Sequence, residues 1–339
     1  MNQRELGHHL GLSQSTVSLA LRGSPRIAEA TRRQIQTAAA KLGYHPNPMV
    51  ISLMEHIRSA RPVKDAGCIA ILVDFPNQEQ WFAFHPAYRE QYDAIYDRAE
   101  QRGYRTECFF LQAPGMNPAA IDRILAARGI VGIILAGPRT SCVNLKMQWG
   151  RYAWIKSGFT WHETRMDCVS ANNRQHVELA FRELDQLKYA RIGFCITRRM
   201  IRRVDSHWVA GYLMAQRLLT PKRRIPMFVT DPNAAGQARF RTWLNRWKPD
   251  VVIGGRTEQG WIERSRGLRP KYCLRWHYED STVPSIEENN LIIGRTLCDL
   301  LIEKMIRNER GLPEHPRLTL IEGTWCNPCQ VTGVSAEWR

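Results

Sequence analysis

The spacing of apolar residues changes character along the chain. Over the first 46 residues, apolar positions recur at helical intervals between short breaks. Asn2 and Glu5 have the form of a capping box, so a first helix is expected to about Leu10, where Gly11 breaks it. Ser13 is placed to cap a second helix through about Leu21, and Gly23-Ser24-Pro25 ends it. A third helix is expected over about Ala28 to Leu42, with Ile27, Ile35, Ala39 and Leu42 apolar and Gly43 as its stop. Asn47 and Pro48 then suit the start of a further helix of two turns, too short to be stable alone. Arg58 to Lys64, with Pro62, reads as linker.

From Gly67 onward, continuous apolar runs alternate with helical stretches. Strands are expected at Cys68 to Val73, Glu107 to Leu111, Ile130 to Leu135, Ile192 to Ile196, Met227 to Val229 and Val251 to Ile253. Helices are expected at Tyr88 to Arg102, Ala119 to Ala127, Asn173 to Leu187, His207 to Leu219 and Ala234 to Trp247. Strands apolar throughout and alternating with helices imply parallel sheets covered on both faces. The length is large for one open sheet, which places a division into two lobes near residue 162.

The second helix has two distinct faces. Val17, Ala20 and Leu21 would pack inward, while Gln14, Ser15, Ser18, Leu19 and Arg22 would face outward. A helix-turn-helix presents such a polar face near the start of its second helix to the major groove, and Leu10-Gly11-Leu12 suits the tight turn before it. An ordinary three-helix bundle with a solvated face fits the same spacing.

Charge adds to the picture. The chain of 339 residues carries 48 Lys+Arg against 32 Asp+Glu, a net +16 that favours polyanionic partners. Met1 to Lys64 alone holds nine Lys/Arg and three Asp/Glu, so the excess is concentrated at the helical end. With 44% hydrophobic residues the chain can build a core. Its longest strongly apolar run, Gly129 to Gly137, is far below the ~20 residues that span a bilayer, and no signal-like leader opens it. A cytoplasmic protein without membrane contact is expected.

Other chemistry finds little support. Cys326 and Cys329 form a CxxC without flanking ligands for zinc and in the wrong place for a thioredoxin-like motif, so two reduced thiols are expected. His8-His9 lacks further metal-ligating partners. Neither nucleotide-binding glycine fingerprint occurs, and no catalytic triad or carboxylate pair can be read from spacing. No cofactor, metal or enzymatic activity is expected.

The runs LSQSTVSLALRGSP and TRRQIQTAAAKLGYHPNP resemble the headpiece of the LacI/GalR (lactose-repressor-like) family of bacterial transcription regulators, densely over residues 2 to 54. The segments ILAARGIVGIIL, LKYARIGFC, NERGLPEHP and LIEGTW are similar to landmarks of that family's core. The resemblance implies a helix-turn-helix headpiece (1–46), a hinge helix and linker (47–64), and a two-lobed α/β, periplasmic-binding-protein-like core of parallel sheets. Its first lobe would hold 65–162 and 290–321, and its second 163–289 and 322–339. The implied function is a repressor that binds a pseudo-palindromic operator as a homodimer, controlled by a small-molecule effector related to sugars. The alternative is an intracellular solute-binding protein without transcriptional output.

By family position, Gln14, Ser15 and Leu19 would read bases, and Ser13, Thr16, Arg22 and Tyr44 would contact phosphates or brace the hinge. Asn47 would open the hinge helix and Leu53 would be its minor-groove wedge. Glutamine can pair bidentately with adenine, leucine can meet a thymine methyl, and an apolar wedge unstacks a base step. The chain departs from the pattern where Met49, Val50 and Ile51 replace small hinge residues and Ala28 replaces a serine. In the effector half, Trp208 stands where sugar-binding members carry an arginine, Gly255-Arg256 replaces an Asn-Asp pair, and His277 replaces an aspartate. Trp81 and Trp161 fall where relatives have pocket or cleft-rim loops. Trp208 would stack on a ring, and Arg256 would favour a carboxylate or phosphate, making an acidic sugar or sugar phosphate the expected effector.

Overall fold

Three helices begin the chain: α1 (Gln3–Leu10), α2 (Gln14–Leu21) and α3 (Glu29–Lys41). The computed structural model describes residues 3–21, 27–42, 67–139, 145–162, 164–265, 267–278 and 281–328. Leu6, Val17, Ala20, Ile35 and Ala39 form a small buried core, with Leu10, Leu12, Leu21 and Ile27 against it. The turn between α1 and α2 needs two glycines. Gly11 adopts φ +65°, and a Cβ on Gly7 would lie 2.7 Å from the Leu12 carbonyl oxygen. The Leu12 N–H donates to the Gly7 carbonyl at 2.8 Å, closing the turn.

The core consists of two sheets of six strands each. The first contains β1 (Cys68–Val73), β2 (Arg105–Phe110), β3 (Gly132–Leu135), β4 (Ala153–Ser157), β5 (Cys168–Ala171) and β11 (Leu318–Ile321). Its order is β11-β5-β4-β3-β1-β2, with every neighbouring pair parallel. The second holds β6 (Ile192–Thr197), β7 (Phe228–Thr230), β8 (Val251–Gly254), β9 (Lys271–Leu274), β10 (Ser285–Glu287) and β12 (Thr324–Cys326). Its order is β12-β10-β9-β8-β6-β7, and only β12 runs antiparallel to its neighbour. Central strands such as β1, β3 and β8 are buried at nearly every residue, as parallel strands covered by helices on both faces must be.

The helices of the core are α4 (Gln78–Phe84), α5 (Pro86–Gln101), α6 (Pro118–Ala127), α7 (Asn173–Gln186), α8 (Arg198–Arg203), α9 (His207–Leu218), α10 (Ala234–Trp247), α11 (Arg256–Glu263) and α12 (Asn290–Ile306). The side chains of Asn77, Asn117, Asn172, Thr197 and Asn233 accept backbone N–H bonds at the starts of five of them, which sets where each strand-to-helix turn ends. The chain crosses between sheets after β5, after β10 and after β11. The first crossing follows Ala171 rather than residue 162, because β5 pairs with β4 and β11 and so belongs to the first sheet. Helix α12 lies on the first sheet against α5. It is tied there by a buried pair, Lys304 Nζ to Asp167 Oδ2 at 2.7 Å, with Arg317 Nη2 reaching the same oxygen at 2.9 Å.

Candidate nucleic-acid interface and interlobe cleft

Helix α2 begins at a side-chain cap. Ser13 Oγ accepts the backbone N–H of Thr16 at 3.1 Å and lies 2.8 Å from both Ser15 Oγ and Thr16 Oγ1. Burying Val17 and Ala20 against α1 and α3 turns the opposite face outward. Ser13, Gln14 and Ser15 are exposed, and Thr16, Ser18 and Leu19 are half-buried beside them. The start of a helix directs unsatisfied N–H groups and the positive end of its dipole outward, which suits a phosphate. Arg22, Tyr44, Asn47 and Leu53 lie outside the described residues.

A cavity of about 660 Å³ lies between the two sheets, within the roughly 300–1,000 Å³ of small-molecule sites. Its walls come from the carboxyl ends of parallel strands in both lobes. Ser157 and Ser170 end strands of the first sheet, while Thr197, Thr230, Gly255 and Arg275 end or follow strands of the second. Ligand clefts in open α/β sheets form at these ends, where the connections diverge. From the first lobe, Ser157 Oγ donates to Gln91 Oε1 at 2.7 Å, and Gln91 Nε2 donates to Asn290 Oδ1 at 2.8 Å.

Several side chains reach across the cleft mouth. Arg203, ending α8, donates through Nη1 to the Pro138 carbonyl at 2.9 Å and through Nη2 to the Tyr88 hydroxyl. Arg199 donates to the Arg139 carbonyl at 3.2 Å and lies over Phe84. His85, from the first lobe, sits edge-on to Trp276 of the second, with ring centroids 5.4 Å apart. Burial, with the nearby Arg203 charge, lowers the His85 pKa to about 4, so it is neutral at pH 7.

The charge in the cleft is uneven. Among the described residues, five arginines line it (Arg198, Arg199, Arg203, Arg256 and Arg275) against Asp231, Glu258 and Glu288. The carboxylates are engaged: Asp231 pairs with Arg239, Glu258 Oε2 accepts the Gly255 N–H at 3.0 Å, and Glu288 Oε1 accepts Trp276 Nε1 at 2.8 Å. Burial pushes the Glu288 carboxyl up to about 7. Polar atoms without a partner also gather here. Asn173 Oδ1, Thr230 Oγ1, Glu258 Oε1 and Arg275 Nε are buried without a hydrogen bond and belong to cleft-lining residues. Leaving such atoms unpaired is costly, so the cleft is suited to a ligand rich in hydrogen-bonding groups.

Of the five effector residues expected from sequence, Arg256 lines the cleft, with its guanidinium carbon 4.1 Å from the Tyr278 ring centroid. The other four do not line it. Trp81 is buried among Phe82, Tyr88 and Tyr92. Trp161 is buried with Nε1 donating to the Ala136 carbonyl at 2.7 Å. Trp208 stacks on Phe194 inside the second lobe, with its ring centroid 6.4 Å from that of the cleft-lining Trp276. His277 Nδ1 lies 2.9 Å from Ser285 Oγ, between β9 and β10. A large indole at a helix–sheet interface fills core volume before it can line a pocket. Arg203, Arg275, Trp276 and Tyr278 were missed; the arginine-rich α8 segment RRMIRR and the RWHY run after β9 were their sequence signals.

Comparison with known proteins adds a lineage to this geometry. Residues 9–47, holding the capped α2 and its outer face, match the family described as "Bacterial regulatory proteins, lacI family". That segment is therefore similar to the headpiece of the LacI family. The chain also aligns with a curated relative, the HTH-type transcriptional regulator GalR of Escherichia coli (strain K12). The two are 23% identical over 259 residues, covering 74% of this chain and 69% of GalR. Among solved structures, the transcriptional regulator CelR–cellobiose complex superposes with a TM-score of 0.56 at 17% identity, covering 97% of this chain and 99% of CelR. The lac repressor dimer bound to operator and the anti-inducer ONPF gives 0.54 at 16% identity, covering 97% and 98%. The LacI-type arrangement of three helices followed by two parallel-sheet lobes is therefore the fold of this chain. Among the described residues no helix is long and apolar enough to cross a membrane.

Proposed function

We infer that the protein is a DNA-binding transcription regulator, a repressor that binds a pseudo-palindromic operator as a homodimer and answers to a small molecule in its interlobe cleft. The observation that carries this reading is the Ser13-capped helix with Gln14 and Ser15 exposed at its start, inside the segment that matches the family. Gln14, Ser15 and Leu19 would meet base edges, and Ser13 and Thr16 would meet phosphates. Arg22 and Tyr44 would add phosphate contacts, and the hinge from Asn47, with Leu53 as wedge, would enter the minor groove. The cellobiose held by CelR supports a carbohydrate-related effector.

The mechanism follows from having two sites and one element with two arrangements. A ligand that binds both walls of the cleft favours lobe closure by its differential affinity for the closed form, and closure repositions the headpieces. The output is binding rather than turnover, and the chain would work in the bacterial cytoplasm, at the nucleoid when operator-bound.

Selection from a random duplex library with the full chain tests the reading. It should return a two-fold pseudo-palindrome whose binding weakens steeply with salt as phosphate contacts release counterions. A single asymmetric half-site bound at full affinity would contradict the dimeric assignment.

A further inference from the structure

One buried cation in the cleft is without a counter-ion contact among the described residues. Arg275 follows β9 and is 3% exposed. Its Nη1 donates to the Cys195 carbonyl, but its Nε is buried without a hydrogen bond. The Nε and Nη2 edge is the one that grips a carboxylate or phosphate side-on, and among the described residues it holds no ion pair. A buried, unpaired guanidinium is expensive and persists in a fold when something else satisfies it.

The local backbone makes room for this group. A Cβ on Gly255 would lie 2.9 Å from Arg275 Nη2 and 3.3 Å from Glu258 Oε2, so a larger residue there would push the guanidinium away. Glu258 does not neutralise it by contact. Its Oε2 accepts the Gly255 N–H that opens α11, and its charge faces the positive end of that helix. Aromatic surface lies alongside, with Trp276 lining the cleft and the Arg275 guanidinium carbon 5.0 Å from its ring centroid. Tyr278, under Arg256, extends that surface.

We infer that the cleft takes an anionic ligand, a carboxylate or phosphate carried on a ring, and that the side-on edge of Arg275 holds its charge. This rests on the cleft being the effector site. The ring lies against Trp276 and Tyr278, Arg256 adds a second positive charge at the rim, and the unpaired Asn173 Oδ1 and Thr230 Oγ1 are available to hydroxyls. A neutral ligand would leave the Arg275 edge unsatisfied in the bound state, so the site discriminates against it.

Calorimetry and thermal shift on the full chain test this with matched ligands. Glucose and galactose are each compared with the corresponding uronate and 6-phosphate, and benzoate and inorganic phosphate serve as ring-only and charge-only probes. The tightest binder should be an anion on a ring, and the uronate and phosphate arms decide which anion. Arg275→Gln should weaken it by at least about 30-fold. Arg275→Lys, which keeps the charge and loses the planar edge, should fall between, and it provides the test where the glutamine variant does not fold. The inference is overturned if no anion in the set stabilises the protein. It is equally overturned if a neutral sugar binds tightest with a Kd unchanged in Arg275→Lys. Operator affinity of the unmodified protein with the anion present separates the two readings. An anion that binds through Arg275 but leaves operator affinity unchanged supports the anion site and removes its effector role.

Discussion

Arg203 Nη1 donates to the Pro138 carbonyl at 2.9 Å, joining the second lobe to the first at the cleft mouth. The same guanidinium bonds the Tyr88 hydroxyl and lies 5.6 Å from the Phe84 ring centroid, so one side chain makes three contacts across the lobes. Such contacts can exist only while the lobes are close, so they bias the equilibrium that a ligand in the cleft would use. Arg203→Ala should remove about 1–3 kcal/mol from the closed arrangement. Small-angle scattering should then show a larger radius of gyration for the ligand-free protein. An unchanged scattering curve would mean that other contacts hold the lobes.

Glu288 gives the cleft a pH dependence. Its carboxyl is raised from 4.5 to about 7, chiefly by burial, with Glu287 and Glu90 adding to the rise and Trp276 and Arg203 opposing it. The folded protein therefore holds this proton more tightly than the unfolded chain does. The resulting stabilisation is full below about pH 4.5 and disappears as pH rises through about 7. Glu288→Gln, which cannot ionise, should lose this component, so its melting temperature should fall less than that of the unmodified protein over that interval. Parallel Tm curves for the two proteins would assign the dependence to other groups.

The sequence made the strongest periodic elements legible and hid those whose polar residues are satisfied by the fold. β1, α7 and α10 could be read to within a residue, since continuous apolar runs and Asn caps mark them locally. β4 carries Lys156 between buried neighbours, and only the structure shows its Nζ donating to the carbonyls of Trp161 and Thr164 at 2.9 Å. α12 packs on both α5 and the first sheet and also leaves Leu291 and Ile292 exposed, so its apolar residues form no single amphipathic stripe. At the cleft, Arg256 was legible from its place after β8. Arg275 was not, because only folding shows that Gly255 leaves it space and that Nε has no partner.

The Lys304–Asp167 pair should behave as a buried ion pair, with both side chains 5% exposed. Lys304→Met should cost up to about 3–5 kcal/mol in urea unfolding, because the buried carboxylate is left with Arg317 alone, and adding Asp167→Leu should recover much of that loss. Burial opposes ionisation of Asp167, yet bonds from the Arg317 backbone, Lys304 and the Arg317 side chain hold its carboxyl below the ordinary carboxylate value. A carboxyl depressed on folding contributes stability above its unfolded pKa and loses it as pH falls through the folded value. The double variant should therefore be less sensitive to acid. Equal acid sensitivity would remove this pair from the account.

Leu53 offers a test of the proposed minor-groove wedge. Leu53→Ala should weaken operator binding far more than binding to unrelated duplex, because only a kinked central step uses an inserted side chain. Fluorescence anisotropy on both duplexes at one salt concentration measures the difference. Equal losses on both would make Leu53 a packing residue.

The reading of bases by the exposed start of α2 is most directly tested by a cycle of four dissociation constants. The unmodified protein and Gln14→Ala are each titrated with the selected operator and with one changed at the symmetric pair of bases that Gln14 is proposed to read. The unmodified protein should lose ~1–3 kcal/mol per site on the base change. Gln14→Ala should bind both duplexes alike, with its salt dependence intact because phosphate contacts remain. If Gln14→Ala instead keeps the full base preference at every position and loses affinity uniformly, α2 does not read the operator through this residue.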